Sequence, residues 1–389
     1  MSKSIIIFGS LNKKLLLPFF LALAQILFII VSRFYPEKIT NAVLQHYSLS
    51  IGEICIIFIP YIFNISQKEK QIEKEIKNKR CLHYFTLCFL YALDYGIRNI
   101  NSTIEYTKTD KGFSYNESNL YMINDFITLS IEMIVVVLIT IKLLKYKYFR
   151  HHIISTAFFI FFGIICEIIL GNYESVDTIF IIITILRIIN VGVDALYYCY
   201  QKYMMEILFY PYWNVAFIPG VFNFCIACGL LLFALVNSDK ENSSILFVST
   251  FYLYFKEVGA GIIVGKVITV LILHLILCPL AILTIYYFNP NYILIIVQLS
   301  TITEYLIKKP KETSYCIALY IFQFIALMIH LEILELNFCG LNKYTKRNIE
   351  IRGIEELTFE GRDSSVYCQM IDLNDNYYVN NLKQEEIIN

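Results

Sequence analysis

Apolar runs of about twenty residues recur along the whole chain, separated by short polar or charged stretches. The runs are unbroken and lack the strict alternation of half-buried strands, so the pattern predicts helices. Roughly 20 residues of helix cover a 30 Å hydrocarbon core. In that core each backbone polar group must be paired internally, which leaves only helices or closed barrels. The runs predict spans at Leu15–Arg33, Ser50–Ser66, Leu82–Ile100, Met122–Leu143 and Ile153–Gly171, then at Thr178–Tyr200, Trp213–Val236, Ile263–Phe288, Tyr292–Ile307 and Ser314–Glu335. The expected fold class is an all-α integral membrane protein with ten transmembrane helices in two inverted five-helix repeats. The acidic linker Asn172–Asp177 divides a first repeat, 15–171, from a second, 172–336. A cytosolic N-terminus, 1–14, precedes them. A polar tail, 337–389, follows and is too poor in apolar residues to build a core, so disorder is expected there.

Composition agrees with this class. Hydrophobic residues make up 57% of the chain, mean hydropathy is +0.60, and 16% of residues are charged, against about 25% in soluble proteins. The formal net charge of +0 argues against nucleic acid as a partner. Lys13 and Lys14 precede an apolar run too long for a signal-peptide core, so the run is expected to remain as the first helix. Cys55, Cys88, Cys166, Cys199, Cys225, Cys228 and Cys278 lie in or beside apolar runs, where cysteine packs as a small hydrophobe. Cys225 and Cys228 have redox or zinc spacing but sit inside a helix with no second pair, and adjacent His151 and His152 diverge on a helix; no metal is expected. There is no phosphate-binding Gly-x-x-x-x-Gly-Lys loop and no convergent His, Asp or Cys set. Neither an enzyme nor a cofactor is therefore expected.

Lys and Arg in short loops set orientation. With the N-terminus in the cytosol, Lys3, Lys13, Lys14, the basic residues from Lys68 to Arg80, Lys145, Lys147, Arg150 and Lys202 face inward. Fewer face outward: Lys38, Lys108, Lys111, Lys240, Lys256, Lys308, Lys309 and Lys311. The sequons at Asn101, Asn116 and Asn242 fall on the outer side as candidate glycosylation sites. Both termini are then cytosolic. Basic hinges, Lys145–His152 and Lys308–Lys311, join helices four to five and nine to ten. Such a repeated hinge is what an inverted repeat produces.

Charged side chains inside a span cost roughly 2.5–3.5 kcal/mol and tend to face partners or a water-filled cavity. On helix six, Arg187, Asn190, Asp194, Tyr197 and Gln201 recur at steps of three and four, so they line one face. Helix three offers Tyr91, Asp94, Arg98 and Asn101, with Asp94 and Arg98 as an i, i+4 pair. Helix four offers Asp125, Thr128 and Glu132; Arg187 is the candidate partner of Glu132, which is also a candidate proton carrier. Helix nine adds Gln298, Thr301 and Glu304, and helix ten Gln323 and His330. Taken one at a time these groups fit a structural role as well. Arg187 could simply neutralise a buried acid, Lys266 on helix eight lies close to the membrane surface, where Lys snorkels, and His274 on a similar face fits a structural role. Gly261 and Gly265 at the start of helix eight fit tight helix packing.

Three stretches carry a resemblance. Leu143–His152 with the helix after it, Asp194–Glu206 with Tyr210-Pro-Tyr and Gly220–Phe224, and Glu332–Lys346 with Asn348-Ile and Arg352 resemble the drug/metabolite transporter superfamily. Within it they are similar to the solute-carrier branch of nucleotide-sugar-transporter-like (EamA-like) proteins of protist type. The resemblance spans about residues 82–352. It implies a central cavity and alternating access in a multi-pass protein of the Golgi, ER, vacuole or another endomembrane. Members carry Tyr-Gln-Met then Arg-Gly at the start of helix four, whereas this chain reads Tyr121-Met-Ile-Asn-Asp125. The expected function is secondary transport of a small polar organic solute: a nucleotide sugar, a nucleoside or another metabolite. The alternative is a non-transporting accessory or degenerate carrier that binds a partner. Membrane lipid and a small-molecule solute are the expected partners, with a homodimer as a candidate assembly.

Overall fold

The structure is a computed structural model of the 389-residue chain. It describes residues 6–8, 16–32, 42–58, 80–109, 112–115, 120–144, 150–170, 178–208, 210–236, 260–308, 313–330 and 333–341. The chain is mostly helical. Among the described residues the helices are α1 (Leu16–Ser32), α2 (Ala42–Cys55, continued by a 3₁₀ turn Ile56–Phe58), α3 (Arg80–Glu105), α4 (Leu120–Leu143), α5 (Arg150–Leu170), α6 (Thr178–Glu206), α7 (Tyr212–Val236), α8 (Ala260–Tyr287), α9 (Asn291–Lys308) and α10 (Thr313–His330). Two of these contain segments long and apolar enough to cross a membrane, Tyr212–Leu230 and Val264–Tyr287. The polar tail beyond 341, the linker Asn172–Asp177 and the sequons at Asn116 and Asn242 lie outside the described residues.

The structure corrects several expected boundaries. Helix α2 starts at Ala42, well before the apolar run at Ser50, because Ser48 finds a buried partner in the ring of His274 at 3.1 Å. Helix α6 continues past Tyr200 to Glu206, so Lys202 belongs to a helix rather than a loop. Helix α10 ends at His330, and the segment expected to complete it forms strand β4 (Leu334–Leu336). Strand β4 pairs antiparallel with β1 (Ile6–Phe8), Ile7 standing opposite Glu335. The loop after α3 holds a hairpin, β2 (Tyr106–Thr109) with β3 (Gly112–Tyr115), in which Tyr106 faces Tyr115. Tyr and Thr favour such a pleated pairing over the irregular loop that polarity alone suggested.

Among the described residues the exterior is apolar, and the largely apolar interior encloses a few charged groups. Phe85 and Phe89 on α3, Leu138 on α4, Phe161 on α5, Ile185 and Ile189 on α6 and Ile268 and Ile272 on α8 are exposed, while Asp94, Glu132 and Asp194 are buried. Helix α2 packs chiefly on α7 and α8, α6 on α3 and α4, and α1 on α8 and α9. These contacts follow a rule. Adding or subtracting five turns α3–α6 into α8–α1, α4–α6 into α9–α1, α2–α8 into α7–α3 and α4–α5 into α9–α10, all observed contacts. The pairs α2–α7, α4–α9 and α5–α10 map onto themselves and are observed as well.

Glycine sets how closely α2 is sandwiched. A Cβ at Gly220 on α7 would lie 2.7 Å from Glu53 Cβ and 3.2 Å from the Ile54 amide nitrogen. One at Gly52 on α2 would lie 2.9 Å from the His274 carbonyl oxygen on α8 and 3.0 Å from Cys278 Sγ. Pro219 beside Gly220 interrupts the helical hydrogen-bond ladder at the same level. Gly52→Ala and Gly220→Ala are each expected to destabilise the detergent-solubilised protein by about 1–3 kcal/mol, the range for overpacking. Gly192→Ala, where nothing lies within 4 Å, is expected to be neutral or stabilising. Thermal unfolding of the three variants checks this; equal behaviour would remove the close approach from the account.

Candidate functional site

Three helices bring charge to one place near their middles. Arg98 of α3 donates from Nε to Asp94 on its own helix at 3.0 Å and from Nη2 to Asp194 of α6 at 2.8 Å. Both carboxylates are buried, whereas 49% of the guanidinium side chain is exposed. Glu132 of α4 is 5% exposed and feels the charges of Asp194, Arg98 and Asp94. Its Oε1 has no hydrogen-bond partner. The i, i+4 spacing of Asp94 and Arg98 aligns the first pair, and the packing of α3 and α4 on α6 supplies the rest.

A second polar group lies one helical turn away. Tyr91 of α3 donates to Glu53 of α2 at 3.3 Å, and Asn223 Nδ2 of α7 donates to Ser50 Oγ at 2.6 Å and Tyr91 Oη at 3.4 Å. Asn223 is 1% exposed and its Oδ1 has no hydrogen-bond partner. The rings of Tyr91 and Tyr197 are 5.1 Å apart at 32°. Tyr91 is three residues from Asp94 and Tyr197 three from Asp194, so the ring pair joins the two groups. Glu53, Ser50, Tyr91 and Asn223 thus knit α2, α3 and α7 together beside the charged trio.

The expected site residues fare unevenly. Tyr91, Asp94, Glu132, Asp194, Tyr197 and Gln201 are buried in the interior, and Thr128, Arg187 and Asn190 are half-buried. Helices α4 and α9 carry Asp125, Gln298 and Thr301, whose side chains lie outside the described residues. Arg98 is a cation acting on Glu132, since α3 and α4 both pack against α6, and Arg187 is half-buried on α6. Asn101 is helical and 7% exposed, so its amide offers little surface to a glycosyltransferase. Lys202, expected at the inner membrane surface, is fully buried and donates to the Tyr286 carbonyl at 2.7 Å, with Glu206 at 3.8 Å.

Other groups escaped the sequence. Glu53 was visible as a lone acid in the apolar run of α2, and Asn223 as an amide in that of α7. The histidines are the clearest miss. His151 and His152 do not diverge; their rings are 4.0 Å apart and buried, and the His152 ring is 5.1 Å from that of His330 on α10. Ser155 donates its single proton to the His152 carbonyl at 2.9 Å, so it accepts from His330 Nδ1 at 2.8 Å. Among the described residues no set of His, Cys, Asp and Glu is arranged to hold a metal.

No protein-family model matches this chain, and a search of curated proteins likewise found no match.

The Arg98–Asp194 contact can be tested by a double-mutant cycle. Arg98→Met is expected to lower stability by about 1–3 kcal/mol, a buried-pair loss discounted for the half-exposed guanidinium. Adding Asp194→Asn should recover part of that loss, so that the double variant falls short of the sum. Strict additivity in thermal unfolding would show that the two groups are not coupled.

Proposed function

We propose that the chain is a multi-pass secondary carrier of endomembranes, moving a small polar organic solute by alternating access between two inverted five-helix halves. The observation that carries this reading is the Arg98–Asp94–Asp194 group. It lies near the middle of α3 and α6, one from each half, with Glu132 beside it. Charges so placed are expensive in a bilayer and mark substrate or ion pathways. The exchange of helix contacts under a shift of five supports the repeat, since this is the contact pattern of two halves related by a pseudo-two-fold axis. The apolar exterior supports the bilayer as solvent. The β1–β4 pairing, which holds the start of the chain against the segment after α10, supports both termini being on one side. The similarity to nucleotide-sugar-transporter-like carriers points the same way.

In this mechanism Arg98 is the movable element. It spans from its own helix to Asp194 of the other half, so separation of α3 from α6 breaks one of its two contacts and keeps the other. Glu132 is the candidate proton carrier. Tyr91, Tyr197, Asn190 and Gln201 are the candidate solute contacts.

A second reading is a non-transporting accessory or degenerate carrier. The crowding of the interior by Tyr91, Tyr197, Tyr210 and Tyr212 favours it, as does Asn124-Asp125 where related carriers have Arg-Gly. Vesicles reconstituted with the protein and offered labelled nucleotide sugars, nucleosides, amino acids and organic amines distinguish the two. Uptake of at least one class is expected, with about tenfold loss or more in Asp194→Ala and in Arg187→Ala. Uptake at the wild-type level in both variants would place the pathway elsewhere. Absence of uptake, together with a stable partner in a gentle-detergent pulldown, would establish the second reading.

A further inference from the structure

We propose that the polar centre shared by α2, α3, α6 and α7 binds an organic cation, a protonated amine or guanidine, rather than an anion; this rests on the carrier reading above. The first ground is charge. Around the Tyr91–Tyr197 pair stand the carboxyls of Glu53, Asp94 and Asp194, with Glu132 beside Asp194 and Arg98, and among the described residues the cation within this group is Arg98. Arg187 is seven residues before Asp194 on α6, about 10 Å along the axis, and Lys202 eight residues after it, about 12 Å away. Lys202 is already held by the Tyr286 carbonyl and Glu206. An anionic solute would therefore enter against an excess of like charge. A cationic one would offset the desolvation of carboxylates that a single guanidinium cannot serve alone.

The second ground is independent of charge and concerns hydrogen bonds. Buried polar atoms are almost always paired. Here Asn223 Oδ1 and Glu132 Oε1, on residues 1% and 5% exposed, have no partner among the described residues. Both are acceptors. Asn223 is fixed in the cluster by the bonds of its own Nδ2 to Ser50 and Tyr91, and Glu132 lies among the charges of Asp94, Arg98 and Asp194. A ligand completing this site must bring donors, as an ammonium or guanidinium does and a phosphate does not.

The third ground is the aromatic lining. The Tyr91 and Tyr197 rings, 5.1 Å apart between the two acidic groups, would offer their π faces to a cation that parts them, and such faces attract a desolvated cation within about 6 Å. Carboxylates at the ends, tyrosine faces between them and spare acceptors at the edge suit an elongated amine better than a bare metal ion.

The experiment uses the full chain in detergent at fixed ionic strength, with agmatine, uridine and UDP-glucose as cationic, neutral and anionic probes. Agmatine is expected to raise the thermal midpoint in a saturable way and to enter reconstituted vesicles; the other two are not. Glu53→Gln and Glu132→Gln preserve shape and are each expected to weaken the agmatine response about tenfold or more, a change worth about 1.4 kcal/mol. Two isosteric variants on different helices guard against one that fails to fold, and elution as a single species identifies those that do fold. A response to UDP-glucose equal to or greater than that to agmatine overturns the cation assignment while leaving the carrier standing. An agmatine response unchanged in both variants overturns the site. No response and no uptake with any probe overturns both readings, and means that protons alone balance the carboxyls.

Discussion

A single guanidinium holds the centre of this molecule in register. Arg98 takes one carboxylate from its own helix and one from α6, at 3.0 and 2.8 Å, and a third acid, Glu132, reaches the same neighbourhood from α4. Removing an ion from water costs several kcal/mol even after relaxation, so none of the three acids is tolerable alone in an apolar interior. They are tolerable as neighbours of one shared cation. The orientations of α3, α4 and α6 are consequently not independent: rotating any one of them would carry its charge into contact with apolar side chains. The face of α6 that bears Asp194 and Tyr197 is fixed by this constraint together with the packing of Ala195, Cys199 and Met204, which are fully buried on its other faces.

The larger helix contacts around this centre exchange under a shift of five, but the chemistry does not. Under the shift of five, the group α3–α6–α4 corresponds to α8–α1–α9. Helix α1 contains no charged residue. Its contacts are apolar, with Leu21, Ala22 and Phe28 packed in one cluster with Leu277 and Cys278 of α8. The polar contact nearby is Ser48 with His274. The same architecture is thus held by charge on one side and by apolar packing on the other. The polar centre is offset accordingly, toward the helices that carry the acids.

Much of this was legible in the sequence, and the failures have physical causes. The apolar runs located the helical segments, because outward-facing and core-facing positions are both apolar and the run persists for the length of the helix. Their ends were misplaced where polar residues remain helical by finding a buried partner, as with Ser48 and Lys202, or where an apolar segment pairs as a strand, as with Leu334–Leu336. Periodicity placed Tyr91, Asp94 and Arg98 on one face of α3, and Asp194 and Tyr197 on one face of α6. It could not say which cation meets which acid, since that depends on which helices are neighbours; the approach of Arg98 to Asp194 and Glu132 is visible only once α3, α4 and α6 are packed. The histidines failed for the same reason. His151 and His152 meet His330 across a separation in sequence that no local pattern spans.

If the two halves rock, the contacts themselves indicate where. At α2 the backbone of one half meets that of the other through Gly52 and Gly220, at distances with no room for a methyl group. Opening such a contact would forfeit close packing on both sides of α2 and admit nothing in exchange. The α5–α10 pair is similarly closed by the histidine group and by Ser155, which accepts from His330 Nδ1 at 2.8 Å. Between α3 and α6 the connection is ionic. Water or a charged solute can replace either partner of Arg98 there, and the guanidinium, already half-exposed, keeps Asp94 when it leaves Asp194. The interface able to open without leaving a void or an uncompensated charge is therefore the one that carries the acids, with α2 between its glycine contacts as the pivot.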